Sequence, residues 1–267
     1  MKKSIWIILI VLLVGVFLFA AWQVVDIWRE YWKGEQFYAQ LNQLVSAPEP
    51  EKKPLLWVKE NEAEEETQPE ETEEEDIWPE VDFDALQAIN PDVIGWLYIP
   101  DTNVNYPILQ GDSNDQYIYH LMTGEYNSAG SLFLESGIPS DFSEQNSPIY
   151  GHNMKNGSMF AGITGYKGQE FYDAHQVALL LTPDARYYIQ IFSAYVTDIW
   201  DDAWQTTFSL SDYQKWLDQR ERKSYFTPVL TPTTDDRVVT FSTCTYETAN
   251  ARFVVHGILK PYENTAD

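Results

Sequence analysis

The chain has 267 residues, with 17 Lys and Arg against 41 Asp and Glu and a single Cys. Its formal charge of -24 argues against a nucleic-acid partner, because such a chain repels phosphate backbones. One Cys excludes an intramolecular disulfide, and the four His give no zinc-ligand spacing with it.

The first element is Ser4 to Val25, 22 residues without a charge. At ~1.5 Å per residue it spans ~33 Å, enough for a bilayer core. Lys2 and Lys3 precede it. The run exceeds the ~7–15 apolar residues of a cleavable signal, and no small-x-small cleavage site follows, so it reads as an uncleaved signal anchor. Arg29 and Lys33 just beyond it leave little positive-inside bias. Placing residues 1–3 in the cytoplasm and the rest outside rests on the long acidic part being the translocated one.

Residues 26–80 form a membrane-proximal segment and a linker. Ile27, Tyr31, Phe37, Leu41, Leu44 and Val45 fall at helical spacing, with an interruption expected near Gly34. Pro48, Pro50 and Pro54 end that helix. From Glu60 to Asp82 there are 13 acidic residues and no Lys or Arg, leaving about -11 for the rest of the chain. So few apolar residues read as a solvated, disordered stalk rather than a cation site, holding the domain away from the membrane.

A compact domain is expected over residues 81–263, with a short tail at 264–267. Asp84 to Ile89 reads as a helix, and Asp115 to His120 looks helix-like. Strands are expected at Ile94–Ile99, Val104–Leu109, Ser131–Leu134, Pro148–Tyr150, Val177–Leu181, Arg186–Tyr195, Arg237–Thr243 and Arg252–Leu259. Short β-rich runs separated by Gly, Pro, Asn and Asp suggest a barrel or sandwich. Ser211 to Ser224 is the clearest soluble helix, with Ser211 as N-cap and Tyr213, Trp216 and Leu217 on one apolar face.

Cys244 ends a strand, with Ser242 and Thr240 on its side of the pleat. A lone Cys is more often a small buried apolar residue than a nucleophile. A loop of about seven residues would return Arg252 beside it if the last two strands pair. A cation there favours the thiolate and can stabilise an oxyanion; the bland alternative is that Arg252 pairs with Glu247. A thiol nucleophile needs a proton acceptor and donor, usually His. His120 and His175 lie in less suggestive places. His152 projects from a loop after Gly151, and His256 lies mid-strand on the side of Arg252; spacing does not separate these two. No P-loop, dinucleotide-binding glycine turn or Gly-x-Ser-x-Gly elbow is present.

Thr240-Phe-Ser-Thr-Cys244, Arg252-Phe-Val-Val and Gly151-His152-Asn together resemble the sortases of Gram-positive bacteria, most closely class B. The blocks Val93–Pro100, Tyr106–Asp115 and Gly130–Leu134 support this, and the helix at Ser211–Ser224 resembles the extra helix of class B. The resemblance runs from about Val81 to Pro261; Phe241 departs from the commoner Leu, an apolar exchange. It implies a mostly β fold, a closed eight-stranded sortase-type barrel with flanking helices after one transmembrane helix. It implies Cys244 as nucleophile, His152 as general acid and Arg252 as oxyanion or substrate-backbone stabiliser, with Asn114, Ile118 and Ser242 lining the substrate groove. The implied activity is cysteine transpeptidation without metal or organic cofactor. Its partners would be secreted proteins bearing a C-terminal sorting signal and a cell-wall peptide amine. A pilin Lys as acceptor, a hydrolytic cysteine peptidase and an inactive membrane-tethered binding module are the alternatives.

Overall fold

The computed structural model describes residues 2–46, 78–245 and 247–262. The acidic run at 60–77 and the tail at 264–267 lie outside these. Helix α1 runs from Lys2 to Leu41 as one rod. It is long and apolar enough to cross a membrane. The interruption expected at Gly34 does not occur. The missing side chain serves packing instead, since a Cβ on Gly34 would stand 2.9 Å from the Asn127 amide oxygen.

The outer part of α1 packs on the barrel. Tyr38 and Leu41, with Val45 just beyond the helix, are buried in the main core, and the Tyr38 hydroxyl donates to the Gly130 carbonyl. Strand β1 (Val45–Ser46) then pairs antiparallel with β2 (Glu80–Val81), Val45 opposite Val81. The acidic segment therefore leaves and rejoins the fold at one place. The stalk expected of the acidic run lies outside the described residues, and the apolar helix reaches the barrel through α1 itself.

After α2 (Phe83–Ile89), capped by Asp82 accepting from the Ala85 N–H, come β3 (Val93–Tyr98), β4 (Asn105–Leu109), β5 (Leu132–Leu134) and β6 (Asn146–Tyr150). Then follow α3 (Gln169–Ala174), β7 (Val177–Leu181), β8 (Arg186–Asp198), α4 (Leu210–Lys223), β9 (Arg237–Cys244) and β10 (Ala251–Pro261). The eight strands β3–β10 close into a barrel in the order β10-β8-β7-β3-β4-β5-β6-β9, with β9 returning to β10. Closure leaves no unpaired edge. Two pairs are parallel, β4 with β5 and β6 with β9.

Strand alternation divides the residues by face. Val239, Phe241, Phe253 and Val255 fill the main core, and Phe241 meets Phe160 with ring centroids 5.6 Å apart. The opposite face of β9 and β10 carries Thr240, Ser242 and Cys244 beside Val254 and His256. It is covered by the segment after β8, through Ala203 and Trp204 over Val254 and through Tyr213, Trp216 and Leu217 of α4.

Two sequence expectations are corrected. Helix α4 starts one residue earlier than expected, and its N-cap is Ser209, whose hydroxyl accepts from the Asp212 N–H at 3.3 Å, rather than Ser211. Its buried stripe also holds Arg220, fully buried and paired with Asp201 at 2.8 Å and Asp202 at 2.5 Å. Asp115 to Tyr119 forms turns and His120 an isolated bridge to Tyr126, not a helix. There Tyr117 donates to the Asp92 carboxylate at 2.5 Å, so tertiary bonds replace an i to i-4 ladder.

Candidate active site

Cys244 and Arg252 are cross-strand partners at the end of the β9–β10 pair. Directly opposite residues on an antiparallel pair project to the same face. Both are half-buried. The tight return between them uses Asn250 at φ 64 and the Thr245 N–H donating to the Ala251 carbonyl at 3.2 Å. Glu247, the rival partner for Arg252, is held by Lys167 at 2.5 Å. The guanidinium donates to the Ala251 carbonyl at 3.1 Å, and among the described residues no carboxylate pairs with it.

His152 arrives from the other side of β9. The parallel β6–β9 ladder ends with Tyr150 opposite Ser242. Three further bonds extend it: the Gly151 N–H to the Ser242 carbonyl at 3.1 Å, the Thr243 hydroxyl to the Gly151 carbonyl at 2.7 Å, and the Asn153 amide to the Cys244 carbonyl at 2.9 Å. His152 and Cys244 thus lie at matching places two residues past the last paired ones. Gly151 is required there, because a Cβ would fall 2.4 Å from Leu132 and 2.8 Å from Phe160.

The His152 ring is fixed from two directions. Its Nε2 lies 2.7 Å from the Ile118 carbonyl, which can only accept, so Nε2 carries a hydrogen and Nδ1 is the other basic site. Tyr119 covers the ring at 5.3 Å between centroids. Burial disfavours the imidazolium and lowers the pKa below the ordinary 6.5, with the Ile118 carbonyl partly offsetting this.

His256 has a different setting. It is fully buried, with Nδ1 2.8 Å from the Thr240 hydroxyl and Nε2 3.2 Å from the Tyr195 hydroxyl. Burial first, and the Arg220 charge second, push its pKa well below 6.5. It is a core histidine and lies away from the strand end that carries Cys244. His120 and His175 each contact the carbonyl four residues back.

Of the three expected groove residues, Ile118 touches His152, through its carbonyl. Asn114 donates to Glu135 at 2.7 Å and accepts from the Ser136 N–H at 2.8 Å. Ser242 is buried, and its hydroxyl accepts from the Trp204 indole at 2.9 Å. Sequence reasoning missed Asn153, Tyr119 and Trp204. Asn153 stood beside His152 in the quoted motif; the others had no local signal. Among the described residues no group of three His, Cys, Asp or Glu could hold a metal.

A family model described as Sortase domain matches residues 97–260. Sortase B of Listeria monocytogenes is 36% identical over 177 residues, which cover 65% of this chain and 72% of that protein. The crystal structure of Staphylococcus aureus Sortase B superposes with a TM-score of 0.65 at 32% identity, covering 68% of this chain and 87% of that one. A crystal structure of Sortase B complexed with triglycine gives a TM-score of 0.65 at 33% identity, covering 68% and 86%. With its closed barrel and the Cys244, Arg252 and His152 cluster at one end, the chain belongs to the sortase family, class B.

Proposed function

We propose that this chain is a membrane-anchored transpeptidase that cleaves a C-terminal sorting motif of secreted proteins and joins the acyl part to a cell-wall peptide amine. The observation that carries the reading is the pair of registers bringing His152 and Arg252 to the two sides of Cys244. In the first step the Cys244 sulfur bonds to the carbonyl carbon of the motif's Thr, with Arg252 beside the developing oxyanion. The C–N bond breaks as His152 gives its proton, at Nδ1, to the leaving amine. In the second step the acceptor amine attacks the thioacyl carbon, His152 takes up a proton, and the thiolate leaves. Groove contacts from Ile118, Asn114 and Ser242 belong to the same reading. The triglycine complex of the Sortase B relative supports a peptide amine as acceptor. The N-terminus is cytoplasmic and the barrel extracellular in this scheme.

The test uses the full chain in detergent with a library of sorting pentapeptides. Mass spectrometry should find a thioester on Cys244, absent in Cys244→Ala, that is resolved by added amine. Product formed without amine dependence would indicate a hydrolase, and no adduct with any peptide would sink the catalytic reading.

A further inference from the structure

We propose that the loop from Thr123 to Ser128 rests in the lipid headgroups, so that the catalytic end of the barrel faces the bilayer surface. The proposal depends on Ser4 to Val25 being a membrane span. α1 does not stop at the surface but continues unbroken to Leu41. A helix that leaves the bilayer as one rod holds whatever docks on it at a set height.

The docking begins at once. The Asn127 amide donates to the Glu30 carbonyl at 2.9 Å, and the Ser128 N–H to the Glu30 carboxylate at 2.7 Å. Lys33 pairs with Glu125 at 3.4 Å, and Asn156 donates to Glu35 at 2.7 Å. At ~1.5 Å per residue, Glu30 stands ~8 Å and Glu35 ~15 Å past the end of the apolar run. A headgroup layer is roughly 5–8 Å thick on each side. The loop Thr123–Ser128 therefore sits at the outer edge of that layer, and any tilt of α1 toward the barrel brings it in.

Composition agrees with this placement. Tyr126 is 63% exposed and Tyr119 47%, and on the facing rod Trp28 is 66% and Trp32 51% exposed. Tyr and Trp are the residues that gather at the membrane–water boundary, apolar body inward and polar tip outward. The Tyr126 and Tyr119 rings stack at 6.2 Å, and Tyr119 lies over His152. One ring thus separates the lipid-facing loop from the catalytic histidine, and the site is open to substrates still attached to the bilayer.

The experiment uses the full chain, Cys244→Ser, one copy per lipid nanodisc. Single cysteines at Thr123→Cys and, separately, Tyr126→Cys carry an environment-sensitive fluorophore; two positions guard against one variant misfolding. Lipids bear a nitroxide on the headgroup or deep in the acyl chain. Both loop labels should lose most of their emission to the headgroup nitroxide. A label at Asp184→Cys, beyond the opposite end of the thirteen-residue strand β8, should lose little. A label at Leu18→Cys should be quenched by the acyl-chain nitroxide. If Leu18 is quenched and neither loop label is, the proposal is overturned and the span stands. If Leu18 is not quenched, the span reading fails and the proposal with it. If the loop labels respond only in discs holding two copies, the face is a self-interface and the proposal is again overturned.

Discussion

Tyr150 stands opposite Ser242 across the parallel β6–β9 ladder, and this single register sets His152 beside Cys244. The two residues are 92 positions apart in the chain, yet each lies two residues past a paired partner. The Asn153 amide on the Cys244 carbonyl locks the arrangement from the far side. The site is built mainly by main-chain pairing, and its side chains are added at the ends of strands that the barrel already holds rigid.

Arg252→Lys should reduce kcat by about two orders of magnitude with a smaller change in KM. An ammonium keeps the charge but not the planar fork that meets a developing oxyanion. Steady-state kinetics with a sorting peptide and an amine acceptor check this; near-normal kcat would remove Arg252 from the oxyanion role.

The acid limb of kcat/KM should have its midpoint below the ordinary His value of 6.5. Burial lowers the His152 pKa, so the form with an extra proton on the Cys244–His152 pair gathers only at lower pH. The measured value belongs to the pair. A midpoint at or above 6.5 would contradict the buried setting of the ring.

Folded stability should fall as pH drops from 7 to 5.5, and less steeply in His256→Gln. The folded-state pKa of His256 is depressed by burial and by Arg220. Below about 6.5 the unfolded chain binds a proton that the folded chain refuses, so this contribution is complete above that pH and lost as pH falls toward the folded value. His152 acts with the same sign, so some slope remains in the variant. Denaturant unfolding at several pH values reads it; equal slopes in the two proteins would refute the assignment.

Asn153→Ala should lower kcat by between about tenfold and a hundredfold while the barrel stays folded. The variant loses the bond to the Cys244 carbonyl at 2.9 Å, and small displacements of a nucleophile cost rate steeply. The bond itself contributes only about 1 kcal/mol to stability. A loss of folding comparable to the loss of rate would mean that Asn153 is merely structural.

Gly34→Ile should destabilise the docked helix by about 1–3 kcal/mol, the usual effect of overpacking. Asn127, which a new side chain would meet, cannot swing aside without breaking its bonds to the Glu30 carbonyl and the Ala129 N–H. Proteolysis within the second half of α1, in detergent, should accelerate; unchanged protection would show that α1 has room at this point.

Local signals made the eight strands legible, because alternation, β-branched residues and turn residues act over a few positions. They also offered Arg252 as a neighbour of Cys244 on the condition that the last two strands pair, which the β9–β10 register shows, while their roles came from the resemblance. His152 against His256 was undecidable from spacing. Both are histidines near strands; the resemblance chose His152, and burial with the parallel β6–β9 pairing gives the physical distinction between a ring at a strand end and one locked between Thr240 and Tyr195.

The sequence by itself determined the membrane-length apolar run and the β-rich domain, because each is written in composition or short-range periodicity, while the roles of Cys244, His152 and Arg252 came from the resemblance to a family. Tertiary structure alone decided that α1 passes Gly34 without a break and joins the core, that the two ends of the acidic segment meet at β1 and β2, and that the Ile118 carbonyl and Tyr119 hold the His152 ring. Those outcomes depend on contacts between residues tens of positions apart, and such contacts leave no local pattern in the chain.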